Sequence, residues 1–199
     1  MSLRLQELRA RLQSDDPILL AARAGAKWSV GRMQLAYWGQ EHAVSWPALE
    51  AVRLAGGHPC GTFDTAMLLY YLATADGTPP VGRWIGFREL PDGSFYNQAF
   101  QGYSGEPLAR AFSSRPEGLE GAAQEMGGSR LVGIAPFAWC FLPLPRLPLA
   151  AALWPGDDEL AGRAAVLFDA SASHYLPTDG LALLGSGLTG RLLRLAGAG

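Results

Sequence analysis

Between Trp154 and Pro177 the chain reads WPGDDELAGRAAVLFDASASHYLP, which gathers Asp157, Asp158, Glu159, Asp169 and His174 around one apolar run. Asp157 and Glu159 alternate, so an extended strand points both carboxylates to one face. Such a pair repels unless a cation, an arginine side chain or a proton lies between them. Arg163, Arg88 or Arg146 could fill that role. Asp169 closes the run VLF ahead of a turn, where a carboxylate either caps the next backbone N–H groups or stands beside a bound ligand. Ser171, Ser173 and His174 are then its near neighbours.

A second polar pair, Arg88-Glu89, sits in GFRELPDG. Adjacent residues point apart when extended, so each needs its own partner. An arginine among Trp84, Phe87 and Phe95 is poorly solvated and should meet a carboxylate, from the protein or from a ligand. Asp157 and Asp169 are the structural candidates. The aromatics Trp84, Phe87, Phe95, Tyr96, Phe100 and Tyr103 either line a pocket for a planar ligand or belong to the core.

Other features exclude chemistry. GSGLTG, residues 185–190, spells a dinucleotide fingerprint, but a helical leucine register precedes it where a strand is required, and the acidic residue expected about 20 positions later has no place in the sequence. A glycine-rich helix face packed closely on a neighbour is the expectation. His42, His58 and His174 are far apart, so only the fold could assemble a zinc site from them. Cys60 and Cys140 form neither a disulfide framework nor a thiolate cluster, and two reduced thiols are expected.

The elements that would position these groups follow from periodicity. The 199 residues are 49% hydrophobic and 17% charged, ample for a core. They read as a single domain, with residues 1–30 a helical segment and 31–199 the main body. Leu5, Leu8 and Leu12 share a helix face, and Asp16-Pro17 caps and opens a second helix. Aromatic-rich runs around Gly39-Gln40 predict a hairpin, and Pro47 to Leu54 a short helix. GTFDTAMLLYYLATADG predicts a buried central helix. Ser114, with Pro116 and Glu117 in the first turn, predicts the start of a helix that stops at Gly127-Gly128. FAWCFLPLP, LPLAAALW and AAVLFD predict strands, with the prolines at a connection or on an edge. Leucines 181, 184, 188, 192 and 195 line a last helix from Thr178 to Ala196. Helices first, strands later and a closing helix give α+β, a mostly antiparallel sheet of short strands with flanking helices; a parallel doubly wound sheet is the weaker alternative.

The net charge is −2 and no basic block occurs, which argues against a nucleic-acid partner. No run approaches the roughly 20 apolar residues of a membrane helix, and the opening segment lacks the apolar centre of a signal peptide. A cytoplasmic location is expected.

The segments YYLATADGTPPVGRWIGFRELPDGSFYNQAF, LPLPRLPLAAALWPGDDEL and AAVLFDASASHYLPTDGLALLG resemble the bacterial and archaeal family known as domain of unknown function 3786. Its pattern combines a tyrosine-leucine helix, W-x-x-F-R-E-L-P, W-x-G-D-x-E and L-F-D-x-S-A-x-x-Y-L-P. Together these cover about Tyr70 to Gly185. The resemblance places Arg88, Glu89, Asp157, Glu159, Asp169 and Tyr175 at motif positions, and His174 and Asp158 outside them. Leu160-Ala161 depart from the family's Phe-Pro. The family brings no established activity. Some relatives carry an added iron-sulfur domain of a type also found in corrinoid proteins, but this chain has no such cysteine cluster, and its cofactor is left open.

The expected function is a small-molecule or cofactor-binding domain with an Arg/acidic pocket beside an aromatic cluster. The candidate ligand-binding residues are Arg88, Glu89, Asp157, Glu159, Asp169, Tyr175, Trp84 and Tyr96, with no metal ligand and no assigned catalytic residue. The expected partner is a small molecule or a cofactor protein. The alternatives are an enzyme with paired carboxylates as acid and base, and a structural or partner-binding protein whose polar residues form an internal salt-bridge network.

Overall fold

A computed structural model describes residues 2–156 and 159–197. The chain opens with helices α1 (Ser2–Gln13) and α2 (Pro17–Ala24). Asp16 Oδ1 accepts the Ile18 N–H at 2.8 Å and Pro17 takes the first helical position, so the capping signal is used as read. Gly25, at φ +65°, closes α2 in the left-handed conformation that favours glycine.

Strands β1 (Lys27–Ser29), β2 (Arg32–Tyr37), β3 (Gln40–Ser45) and β4 (Ala51–Arg53) form an antiparallel meander. The predicted hairpin is β2-β3, turning at Trp38-Gly39 with both residues at positive φ, the geometry of a two-residue hairpin loop. The helix expected over residues 47–54 does not form. Ser45 N–H donates to Glu50 O and Glu50 N–H to Ser45 Oγ, which closes a turn and returns the chain as β4 against β3. Cross-strand pairing overrides a weak helical propensity here.

Helix α3 (Thr62–Thr74) buries Thr65 to Leu69, Tyr71 and Leu72, as its nearly all-round apolar sequence requires. The aromatic segment becomes a short strand β5 (Trp84–Gly86), a 3-10 turn (Phe87–Glu89) and helix α4 (Gly93–Tyr103), followed by α5 (Gly105–Phe112) and α6 (Pro116–Glu125). Ser114 is not the cap of α6; Arg115 occupies that position and Pro116 begins the helix.

The second sheet has the order β5-β9-β8-β7-β6, from β6 (Ser129–Arg130), β7 (Phe137–Leu144), β8 (Leu147–Trp154) and β9 (Arg163–Asp169). Every pairing in both sheets is antiparallel among the described residues, so the fold is α+β and not doubly wound. The prolines gather at the β7-β8 connection, where the register shifts between Phe141 and Leu144 and the β8-β9 ladder begins only at Leu149. Pro148 therefore removes no ladder bond. Trp38 N–H donates to Pro143 O at 2.9 Å and ties the two sheets together.

Helix α7 (Thr178–Leu195) buries Leu181, Leu184, Leu188 and Leu192. Leu195, expected on that face, is exposed in the last turn. GSGLTG lies in mid-helix. A Cβ on Gly185 would stand 2.9 Å from Phe100 and 3.3 Å from Phe168, so that glycine lets α7 approach the aromatic core. One cluster of buried apolar side chains runs from α1 through both sheets to α7. Among the described residues, no helix is long and apolar enough to cross a membrane.

Candidate functional site

Asp169 ends β9, and its carboxylate is buried. Oδ1 accepts from Ser171 Oγ at 2.7 Å, Ser171 N at 2.9 Å and Val81 N at 3.1 Å, while Oδ2 accepts from Gly82 N at 2.7 Å. Burial alone would raise this carboxyl's pKa; the hydrogen bonds from Ser171, Val81 and Gly82 outweigh it and hold the group below its usual range. The expected pairing of Arg88 with Asp169 is not made. The acceptor positions are filled by backbone and serine donors, and Arg88 points from an exposed 3-10 turn with no ion-pair partner among the described residues.

The same turn grips residues 76–83 at further points. The buried Tyr175 hydroxyl donates to Thr78 O, and its ring stacks on Tyr71 at 5.7 Å. Tyr71 Oη donates to Ala24 O at 2.7 Å and accepts the Arg146 N–H at 3.0 Å; burial raises the pKa of both phenols, so both remain neutral donors. Arg146 Nη1 reaches Gly77 O at 3.4 Å. His174 Nδ1 meets Asp76 Oδ2 at 2.6 Å, a contact that, with the Thr78 donors, brings the Asp76 carboxyl down to about 2. The motif around LFDASASHYLP thus fastens one crossing segment to the end of a strand.

The remaining candidates are dispersed. Glu89 Oε1 accepts the Gly86 N–H at 2.8 Å and closes the 3-10 turn. Trp84 is half-buried on β5, paired across the ladder with Asp169. Glu159 is exposed, and Asp157 lies outside the described residues. Arg163, expected between those two, stacks on the Trp154 ring at 4.5 Å. Phe87, Phe100 and Phe168 pack together in the core, with the first two rings stacked at 4.1 Å.

The aromatic segment does shape one opening. Tyr96, Ala99 and Tyr103 recur at i, i+3 and i+7, so they share a face of α4. That face looks across a cleft of about 730 Å³ toward Ser173, Pro177 and Leu183, with Phe87 in its wall. Asp92 and Asp179 line it, and no arginine, lysine or histidine does among the described residues. Thr178 Oγ1 holds Pro91 O at 2.6 Å and fixes one end.

A second opening went unread in the sequence. A polar cavity of about 360 Å³ is lined by Tyr37, His42, Arg53, His58, Asp64 and Arg191, among others. These come from β2, β3, β4, the loop before α3, α3 itself and α7, and no local spacing announces them. Two of the three histidines meet there, yet no set of three metal-ligating side chains is assembled among the described residues. Cys60 also lines this cavity; burial and the Asp64 charge push its thiol up, which opposes a thiolate nucleophile.

The family model described as Domain of unknown function (DUF3786) matches residues 16–191. No curated protein and no solved structure matches the chain. The match spans most of the sequence, and the chain belongs to this family.

Proposed function

We propose that this family member is a small-molecule-binding domain whose ligand lies in the cleft between α4 and α7. The observation that carries the reading is the placement of Tyr96 and Tyr103, which are 65% and 43% exposed and both line the cleft, Tyr103 with its ring also set edge-to-face against Phe100. A soluble protein leaves large aromatics together at a concave surface at a cost in hydration, and such surfaces mark binding grooves. The cleft volume of about 730 Å³ suits a small organic ligand. Aromatic walls favour a planar body, and two lining carboxylates with no basic side chain in the lining among the described residues favour a neutral or cationic one over an anion.

The cleft is also where two family motifs meet. Phe87 and Pro91 come from the W-x-x-F-R-E-L-P segment, and Ser173, Leu176 and Pro177 from the closing Y-L-P segment. Tyr175, whose hydroxyl fastens Thr78, directly precedes the cleft residues Leu176 and Pro177.

Titration with the neutral planar fluorophore N-phenyl-1-naphthylamine tests this reading. Saturable fluorescence enhancement is expected, weakened about tenfold or more in Tyr96→Ala and Tyr103→Ala at unchanged fold, since a lost aromatic contact and its buried area are together worth more than 1 kcal/mol. Native mass and absorption spectra of protein purified from an anaerobic host add the natural occupant. Fluorophore binding that ignores both tyrosines would refute the assignment.

A further inference from the structure

The polar cavity at the other end of α7 has the opposite electrostatic character from the cleft. Arg191 is half-buried, yet neither it nor Arg53 has an ion-pair partner among the described residues. Arg191 Nη1 is held by Gly187 O at 3.1 Å, and its guanidinium lies 4.1 Å over the Trp38 ring. Gly187 carries no side chain, and a Cβ there would sit 3.2 Å from Arg191 Nη1 and 3.5 Å from Trp38, so the helix leaves the guanidinium room over the ring. Arg53 Nη1 takes only a long bond, 3.4 Å, to Gln40 Oε1. The one carboxylate in the lining, Asp64, lies against the Tyr37 hydroxyl, whose pKa rises to about 12 through burial and that charge, so the hydroxyl stays a neutral donor. His42 Nδ1–H donates to Gln40 O at 2.8 Å, so this imidazole is held by the hairpin backbone and the arginines carry the positive charge of the cavity.

We infer that this cavity is an anion site and that it takes the phosphoryl group of a small phosphorylated molecule. Two guanidiniums share the lining with one carboxylate, Asp64, and neither is ion-paired with it, so the lining carries one positive charge in excess and the partly desolvated Arg191 calls for an anionic partner. Guanidinium forks suit phosphate oxygens, and donors on several walls suit a tetrahedral dianion better than a flat carboxylate. The volume of about 360 Å³ exceeds that of an ion and leaves room for an organic portion. Trp38 at φ +50° is an uncommon backbone for a bulky side chain, and it sets the indole beneath Arg191.

Calorimetric titration with inorganic phosphate, run alongside acetate and followed at the Trp38 indole N–H by nitrogen-15 NMR, tests the inference. One saturable phosphate site is expected, perturbing Trp38 and binding acetate about tenfold or more weakly. Arg191→Gln should weaken phosphate by about tenfold or more, the value of a lost charge-assisted contact. Arg53→Gln should weaken it less, and Arg163→Gln, whose guanidinium rests on Trp154, should leave it unchanged. If Arg191→Gln does not fold, Arg53→Gln and Arg191→Lys carry the comparison. Absence of saturable binding, binding that leaves Trp38 unshifted, indifference to Arg191 or Arg53, or acetate as tight as phosphate would each overturn the assignment. Because the fluorophore titration addresses the α4-α7 cleft, either site can fail without the other.

Discussion

Replacing Asp169 with alanine is the sharpest test of how this fold holds its motif segments. The carboxylate accepts four hydrogen bonds, two part-buried ones from the amides of the exposed residues Val81 and Gly82 and two from the buried Ser171. Water can reach the first two amides after the substitution, so each loses only the net value of a bond, about 0.5–1.5 kcal/mol. Ser171 N–H cannot be rehydrated as easily and is left at a cost of about 1–3 kcal/mol. The Ser171 hydroxyl loses about 0.5–1.5 kcal/mol more, so the sum is about 2.5–7.5 kcal/mol, which at about 2–4 °C per kcal/mol for a chain of this size lowers the Tm by roughly 5–30 °C. Asp169→Asn should lose roughly half as much: Oδ1 keeps its three donors, while the amide opposes the Gly82 N–H as donor against donor. Urea unfolding measures the loss. Native-state hydrogen exchange at Val81 and Gly82 locates it, because those amides should exchange faster than the β7-β8 ladder. A loss below about 1 kcal/mol, or unchanged exchange at Gly82, would refute the claim that Asp169 fastens this segment.

Three further outcomes follow from the geometry. Asp169 and Asp76 both have depressed folded pKa values, so their stabilisation is present above the unfolded carboxyl pKa of about 3.9 and is lost as pH falls through the folded values, about 2 for Asp76; an acid-unfolding series should show stability falling below pH ~4, and Asp76→Asn should make that decline shallower, most visibly at low salt because this pair is half-exposed. Tyr71→Phe removes an acceptor for Arg146 N–H and a donor to Ala24 O, and chemical denaturation should show a loss of about 1–3 kcal/mol, against about 1 kcal/mol for Tyr175→Phe, which removes one bond. Within GSGLTG, thermal melts should move in opposite directions: Gly190→Ala meets open space and gains up to about 1 kcal/mol of helix propensity, whereas Gly185→Ala must displace Phe100 and loses about 1–3 kcal/mol to overpacking.

The sequence by itself determined the features that depend on neighbours along the chain. The Asp16-Pro17 start of α2, the β2-β3 hairpin, the buried α3, the strands β7 to β9 and the leucine face of α7 all follow from caps, turns and periodicity, which act within a few residues. So does the reading of the glycine fingerprint as packing, because the missing strand is itself local. Where pairing across the sheet competed with local preference, at residues 47–54, the sheet prevailed. Only the tertiary structure decided what the polar residues do. Asp169 and Arg88 were legible as groups that need partners, but a carboxylate takes whichever donors the fold brings to it, and here those were amides 87 and 88 residues away. The cavity at Arg191 drew on strands, a loop and two helices, so no spacing in the sequence could announce it. Charge and hydrogen-bond demand are written in residue types; their satisfaction depends on long-range packing, which brings together side chains that have no local relation.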